Sequence, residues 1–454
     1  MRRRRYLSSG FALTVFGGGI AIGLMVVPVP PLLPERQAEA VPAFARKYKV
    51  ECTVCHTRPP RLNTFGERFL ENGYQIPGTQ DGGIVEKLKL GNVTLDLVHN
   101  YFAVRLRGNV YRQFDFETED EAKDKKELAF PEIVNVFFAG TLTKNVGTFI
   151  EMEGNIEEEE VEFERSILSL NNLFSDWIGH DVAHLRFGKL DPSAYFSFPT
   201  HRQQLLPVPS ETEAGALVRP PLVPNAGAAK FFGLSNNEGG SILPLKPILY
   251  NTPADVGLDL HGRPFGDIFL YQVGVLNGAD EEFGDSNTSK DLYVMGRLDW
   301  ARSDLFSANL SAFAHFGYNT AKVGEDSVDW HRYGIGANVR WRMIDLYGAL
   351  VWDKILDLSS ANKVTFDDTA SGFTVEADAL VTNWLLASLR FDHLNAGGRR
   401  AMKEDNTVLG AQLKFYLTDN IGLYIRDDIN LRDEGESAVE NLRNTFLVGV
   451  DLAF

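Results

Sequence analysis

The 454-residue chain is poor in cysteine, with two, and in methionine, with six. Two cysteines exclude a disulfide framework, and one pair cannot complete a four-cysteine zinc site. Basic residues are outnumbered, 45 Lys and Arg against 61 Asp and Glu. That balance argues against nucleic acid as a partner and favours cations. After the first 40 residues no apolar run is long enough for a membrane helix. If the mature chain crosses a membrane, it does so as a β-barrel, the other structure that satisfies its own backbone in lipid.

What is present begins with Arg2 to Arg5, an apolar stretch from Phe11 to Val27, and Ala38-Glu39-Ala40. This order reads as a signal peptide over residues 1–40. The competing reading is a retained helix, but Gly17-Gly18-Gly19 and the small-residue site favour cleavage. Residues 1–40 hold five Arg and two Glu, so their removal takes the formal charge from −16 to −19.

Both cysteines fall in Cys52-Thr53-Val54-Cys55-His56. Covalent attachment of a c-type haem needs two thiols three positions apart, to take the two vinyl groups as thioethers. A histidine must follow, so that its imidazole reaches the iron from the same turn. Cys52 and Cys55 are the expected attachment points for one haem c, and His56 its axial ligand. A thiol–disulfide switch is the first alternative, but no βαβ pattern surrounds the pair. Half a zinc site is the second, but no further cysteine pair exists and the next histidine is His99.

The flanks suit a small haem-wrapping unit. Ala43 to Tyr48 predicts a helical turn or two, with Phe44 and Tyr48 on one side. Leu62, Phe65 and Phe69 recur at spacings of three and four, one apolar face of a short helix that Gly73 is placed to stop. The second axial ligand is not evident. No methionine lies between His56 and Met152. His99 is the first candidate, because strand parity with Ala103, Arg105 and Arg107 faces it to a lumen. His201, in the longest connection, is the second. An ordinary hydrogen-bonded histidine is the competing reading for each.

From about Val98 the pattern changes to period two. Phe102, Val104, Leu106, Gly108 and Val110 alternate with Ala103, Arg105, Arg107 and Asn109, and the chain ends on Phe446, Val448, Val450, Leu452 and Phe454. Segments of about ten alternating residues are the mark of a transmembrane β-barrel. Sixteen are expected, centred on Leu106, Phe137, Ile150, Ile167, Leu185, Leu258, Leu270, Val294, Ala312, Ile335, Leu350, Val375, Leu389, Leu413, Leu423 and Val448. Short connections, such as Thr143 to Val146 and Thr418 to Asn420, alternate with long ones, such as Asp115 to Ala129, Asp191 to Asp255 and Asn319 to Asp329. A soluble sandwich or propeller does not explain that alternation. Several long connections are acidic, including Asp115 to Ala129, Glu157 to Glu160 and Gly278 to Ser289. A ring of carboxylates concentrates cations, although such runs also serve solubility or calcium bridging. Asp191 to Asp255 is expected to fold into the lumen, since so long a connection is usually functional or disordered.

Ala43-Phe44-Ala45-Arg46, Cys52 to His56, Pro60-x-Leu62-Asn63-x-Phe65-Gly66 and Asn72-Gly73-Tyr74 resemble the N-terminal unit of the fused monohaem cytochrome–porins of iron-oxidising and related bacteria. The barrel resembles their porin half, most closely at Leu185 to Pro192 and Gly266 to Gly278. The resemblance implies a signal peptide over 1–40, a monohaem cytochrome unit over 41–92 plugging the barrel, and an outer-membrane barrel over 93–454. It implies electron transfer across the outer membrane, from extracellular Fe(II) or another redox donor to a periplasmic c-type cytochrome, with outer-membrane lipid around the barrel. Outward transfer to external acceptors, or solute transport with a structural or sensory haem, are the alternatives. The hydrocarbon layer is about 30 Å thick, so a haem at the periplasmic rim could not take electrons from an insoluble outer donor, and the haem is expected inside the lumen, reached by dissolved cations from the acidic side.

Overall fold

The computed structural model describes residues 43–77, 88–90, 93–95, 97–117, 123–156, 159–199, 202–205, 234–236, 242–244, 254–278, 288–303, 305–323, 326–356, 369–395, 406–431 and 441–454. Sixteen antiparallel strands close into one barrel. They are β1 (Phe102–Glu117), β2 (Lys123–Thr143), β3 (Val146–Asn155), β4 (Glu160–Leu170), β5 (His184–Leu190), β6 (Asp255–Gly262), β7 (Phe269–Leu276) and β8 (Asp291–Ser303). The second half comprises β9 (Phe306–Val323), β10 (Asp326–Trp341), β11 (Ile344–Leu356), β12 (Thr369–Thr382), β13 (Leu385–Asn395), β14 (Asn406–Thr418), β15 (Ile421–Asn430) and β16 (Asn441–Ala453). All sixteen expected centres fall inside these strands. The last strand pairs with the first, Leu452 opposite Leu106, and seals the sheet.

Alternation decides which side each residue faces. Val294, Leu310, Ile335, Leu350, Leu389 and Leu413 point outward and are exposed. Arg297, Ser311, Asn338, Glu376, Arg390 and Gln412 point inward and are buried. An apolar exterior around a polar interior, in an even-numbered closed sheet, is the construction of an outer-membrane, porin-like barrel.

The short connections lie together at one end, with β2–β3, β10–β11, β12–β13 and β14–β15 joined by tight turns. The C-terminus ends there too, where Phe454 N donates to Val104 O at 2.8 Å. One connection at this end is longer, because the chain between β4 and β5 carries a short helix, α3 (Ser175–Ile178).

Two expected long loops are shorter than read. The stretches 115–129 and 319–329 are mostly strand, since β1 and β2, and β9 and β10, extend toward one another. Hairpin ladders persist beyond the lipid belt, where charged residues replace apolar ones and the alternation fades. The acidic stretches Glu157–Glu160 and Gly278–Ser289 lie in large part outside the described residues, as does the signal-peptide stretch 1–40.

The residues ahead of β1 belong to the same compact unit as the barrel, Glu39–Phe454. They form α1 (Ala43–Tyr48), a short hairpin of His56–Arg58 with Arg61–Leu62, and α2 (Thr64–Glu71). Phe44 and Tyr48 of α1 pack on Phe69 of α2 with ring centroids 5.0 and 5.7 Å apart. Tyr74 stacks between Phe44 at 5.2 Å and Phe149 of β3 at 5.4 Å. This aromatic cluster joins the unit to the barrel wall, and the unit sits in the lumen as a plug.

The beginning of the long connection after β5 also turns inward. Asp191 caps the turn Pro192–Tyr195 by accepting from Ser193 N at 2.8 Å. Tyr195, Phe196 and Phe198 are then buried against Tyr293, Met295 and Phe313 of the wall.

Candidate functional site

The plug is held at the short-turn end by ion pairs to lumen residues. Arg61 Nε lies 3.0 Å from Asp345 Oδ2, and its guanidinium sits over the Tyr347 ring at 4.0 Å. Glu67 takes Arg340 at 2.8 Å and Arg297 at 3.2 Å. Glu71 takes Arg263 at 2.7 Å and Arg297 at 2.9 Å. On the other side of the plug, Tyr416 Oη donates to Pro59 O at 3.0 Å, and Arg58 lies 3.5 Å from Asp419. Burial alone would raise the Glu67 and Glu71 carboxyls. The neighbouring guanidiniums outweigh it and hold each at about 2.

The Cys52–His56 loop is shaped by Asn63. Its Nδ2 donates to Thr53 O at 3.1 Å and Val54 O at 2.9 Å, and its Oδ1 accepts from Gly66 N at 2.9 Å. Its backbone N donates to Cys55 O at 2.9 Å. One side chain thus caps α2 and clamps the Cys52–Val54 turn. Gly66 is required by close approach, since a Cβ there would sit 2.0 Å from Cys55 O. The spacing Leu62-Asn63-x-Phe65-Gly66 is therefore the packing of α2 against the Cys52–His56 loop.

Cys52 and Cys55 are free thiols. Cys52 is buried, with its Sγ 3.7 Å from Asn420 Oδ1 in the β14–β15 turn. Burial pushes both thiols up to about 11. A disulfide-exchange cysteine needs the opposite shift, because the thiolate is its reactive form. His56 Nδ1 is buried without a hydrogen-bond partner. Burial, with Arg202 adding to it, pushes the imidazole down to about 4, so the ring is neutral near pH 7. A neutral imidazole beside two unpaired thiols is the donor set that a c-type haem uses, and these residues fit that group. Among the described residues no three His, Cys, Asp or Glu side chains gather as a separate metal site.

His99 and His201, the two histidines expected as candidates for a second ligand, fare differently. His99 lies in the 3-10 turn Val98–Asn100, ahead of β1, and is exposed. Strand parity does not reach it because β1 starts at Phe102. The lumen-facing placement is corrected to a place on the rim, where its carbonyl accepts from Arg46 at 2.8 Å. His201 lies outside the described residues.

The described start of the long connection, 191–199 and 202–205, turns into the lumen and meets the plug. Gln204 Nε2 donates to Arg58 O at 2.9 Å, and Gln204 N to Glu376 Oε1 of β12 at 2.8 Å. Arg390 of β13 fixes the same segment through Gln203 Oε1 at 2.6 Å and Leu205 O at 3.2 Å.

Sequence reading missed Glu67 and Glu71 as parts of this site, and within the inward connection it did not single out Gln203 to Leu205. Two acids four apart on a helix with an apolar face are the signal that was available for the first pair. No comparable signal marks Gln203 to Leu205.

No protein-family model matches the chain, and no curated protein does. Among solved structures it is similar to Salmonella typhi OmpF in complex with daunomycin, at a TM-score of 0.49 and 11% identity, covering 81% of this chain and 100% of that one. It is also similar to an anion-selective porin from Comamonas acidovorans, at 0.48 and 15%, covering 78% and 98%. A loop L8 deletion mutant of OmpT, an outer membrane protein of Vibrio cholerae, matches at 0.44 and 9%, covering 78% and 98%.

Proposed function

We propose that this protein carries electrons across the outer membrane, from dissolved ferrous iron outside to a periplasmic c-type cytochrome, with one covalent haem supplying the one-electron couple. The observation that carries the reading is the Cys52–His56 motif on a plug inside a closed barrel. Cys52 and Cys55 anchor the group and His56 offers the axial nitrogen. Asn63 and Gly66 hold the loop in the shape that presents all three. Glu67 and Glu71 fix the plug to β8, β10 and the turn after β6. The inward segment at Gln203 to Leu205 lies against the plug, with Gln204 Nε2 donating to Arg58 O at 2.9 Å. The formal charge of −19 for residues 41–454, from −16 less the five Arg and two Glu of 1–40, suits a cationic donor.

The test has two stages. Intact mass and a haem stain after denaturing electrophoresis should show one covalent haem on the full-length protein. Stopped-flow mixing with ferrous iron should then reduce it faster than an exposed monohaem cytochrome under the same conditions. Equal or slower reduction sinks the iron role and leaves outward transfer to external acceptors. A porin for solutes is the second reading, favoured by the sixteen-stranded closure itself. Rapid sugar-driven swelling of liposomes holding the protein would support it over the first.

A further inference from the structure

We propose that Arg202, carried into the lumen by the chain after β5, pairs with a propionate carboxylate of the haem attached at Cys52 and Cys55; the inference rests on the haem reading above. Arg202 is close to the motif. It stands two residues before Gln204, whose side chain donates to Arg58 O at 2.9 Å, and Arg58 is two residues beyond His56. Its charge also bears on the His56 ring.

Arg202 is part-buried, and its NH1 donates to Ala194 O at 3.1 Å. Other lumen arginines have carboxylates in contact: Arg61 with Asp345 at 3.0 Å, Arg297 with Glu71 at 2.9 Å, Arg390 with Asp392 at 2.8 Å. Among the described residues no carboxylate lies within ion-pair distance of Arg202, although the fields of Asp191 and Glu67 reach it. A guanidinium drawn out of water without a counter-charge is costly, so the position calls for an anion that the described side chains do not supply.

Haem chemistry provides one in the right sense. The propionates lie on the edge of the ring opposite the two thioether-bearing positions. Cys52 meets Asn420 in a short turn at the barrel end. The segment with Arg202 is fixed farther up the same wall, where Gln412 of β14 donates to Gln204 O at 3.2 Å. A planar guanidinium suits a carboxylate because it offers two parallel donors.

The test uses the full-length protein in detergent, with covalent haem first verified by mass. Spectroelectrochemical titration gives the midpoint potential, and resonance Raman spectra give the propionate bending band. A positive charge beside the haem favours the reduced form. Arg202→Gln is therefore expected to raise the oxidised-to-reduced ratio at the wild-type midpoint about tenfold, a fall of ~59 mV for a one-electron couple, and to move the Raman band. Arg202→Lys should keep the midpoint near wild type while still moving the band, since the charge stays and the two-pronged donor is lost. An Arg202→Gln protein with intact haem and neither readout changed overturns the pairing. If that variant does not fold, an unmoved Raman band in Arg202→Lys overturns it. A wild-type protein without covalent haem overturns the parent reading, and this one with it.

Discussion

Glu71 accepts both prongs of Arg263, Nε to Oε2 at 2.7 Å and NH2 to Oε1 at 3.0 Å, across 192 positions of sequence. Both side chains are buried. Arg297 joins the same carboxylate, and the Glu71 carbonyl lies 3.0 Å from His261 Nε2. Removing one partner of a buried pair typically costs about 3–5 kcal/mol, because the other charge is stranded. Glu71→Ala should therefore loosen the plug and leave the barrel closed. Limited proteolysis should cut the variant within 43–77, while its heat-modifiable gel mobility stays that of a folded barrel. Wild-type protease resistance would refute this account of the lock.

If Cys52 and Cys55 carry haem as proposed, Gly66→Ala should prevent normal loading. The new methyl would overlap Cys55 O, and backbone cannot move aside as a flexible side chain can. The expected outcome is a folded barrel with little or no haem-stained band. A normal haem content would mean that the Cys52–His56 loop is not held as described.

Acid should release the plug. Glu67 and Glu71 are held at about 2 by Arg340, Arg297 and Arg263 against the opposing effect of burial. An undocked carboxylate titrates near 4.3. The folded values are depressed, so the stabilisation is complete above the ordinary carboxylate range. It is lost as pH falls between about 4 and 2. Pepsin cleavage within residues 64–77 should rise across that interval and not above it. A release complete by pH 5 would point to other groups.

Arg390→Leu should open the lumen. Arg390 holds Gln203 and Leu205 while paired to Asp392, and its side chain is fully buried. Without it the inward segment loses its anchor on β13. Single-channel conductance in planar bilayers should rise over wild type, with the plug still protease-resistant. Unchanged conductance would show that the plug alone sets the permeability.

The barrel was readable because lipid imposes a rule on every second residue. Leu350 and Val375 must face out, while Tyr347 and Glu376 face in, and a slip of one would reverse them all. Sixteen centres follow from that rule alone. The loop lengths were less readable, because β1 and β2 continue where lipid no longer enforces alternation. The plug's contacts with the wall were invisible for another reason. Arg61 finds Asp345 across 284 positions, and Gln204 finds Arg58 across 146. Such pairings depend on which wall the plug meets, a property of the closed barrel and not of any local window. His99 was misplaced by the same extrapolation, since parity was carried past the first residue of β1.

The docking of the plug against the β14–β15 turn has a consequence for how the molecule is made. The plug lies directly ahead of β1 in the chain, and Cys52 is buried against a turn of the finished barrel. If haem is attached as proposed, the ligase that joins it to the thiols must reach both cysteines before the plug docks against that turn. On that reading, cofactor loading and plug docking are steps with a fixed order. Blocking barrel insertion should leave a precursor that already stains for haem, whereas blocking haem attachment should yield barrels whose docked plug can no longer be loaded.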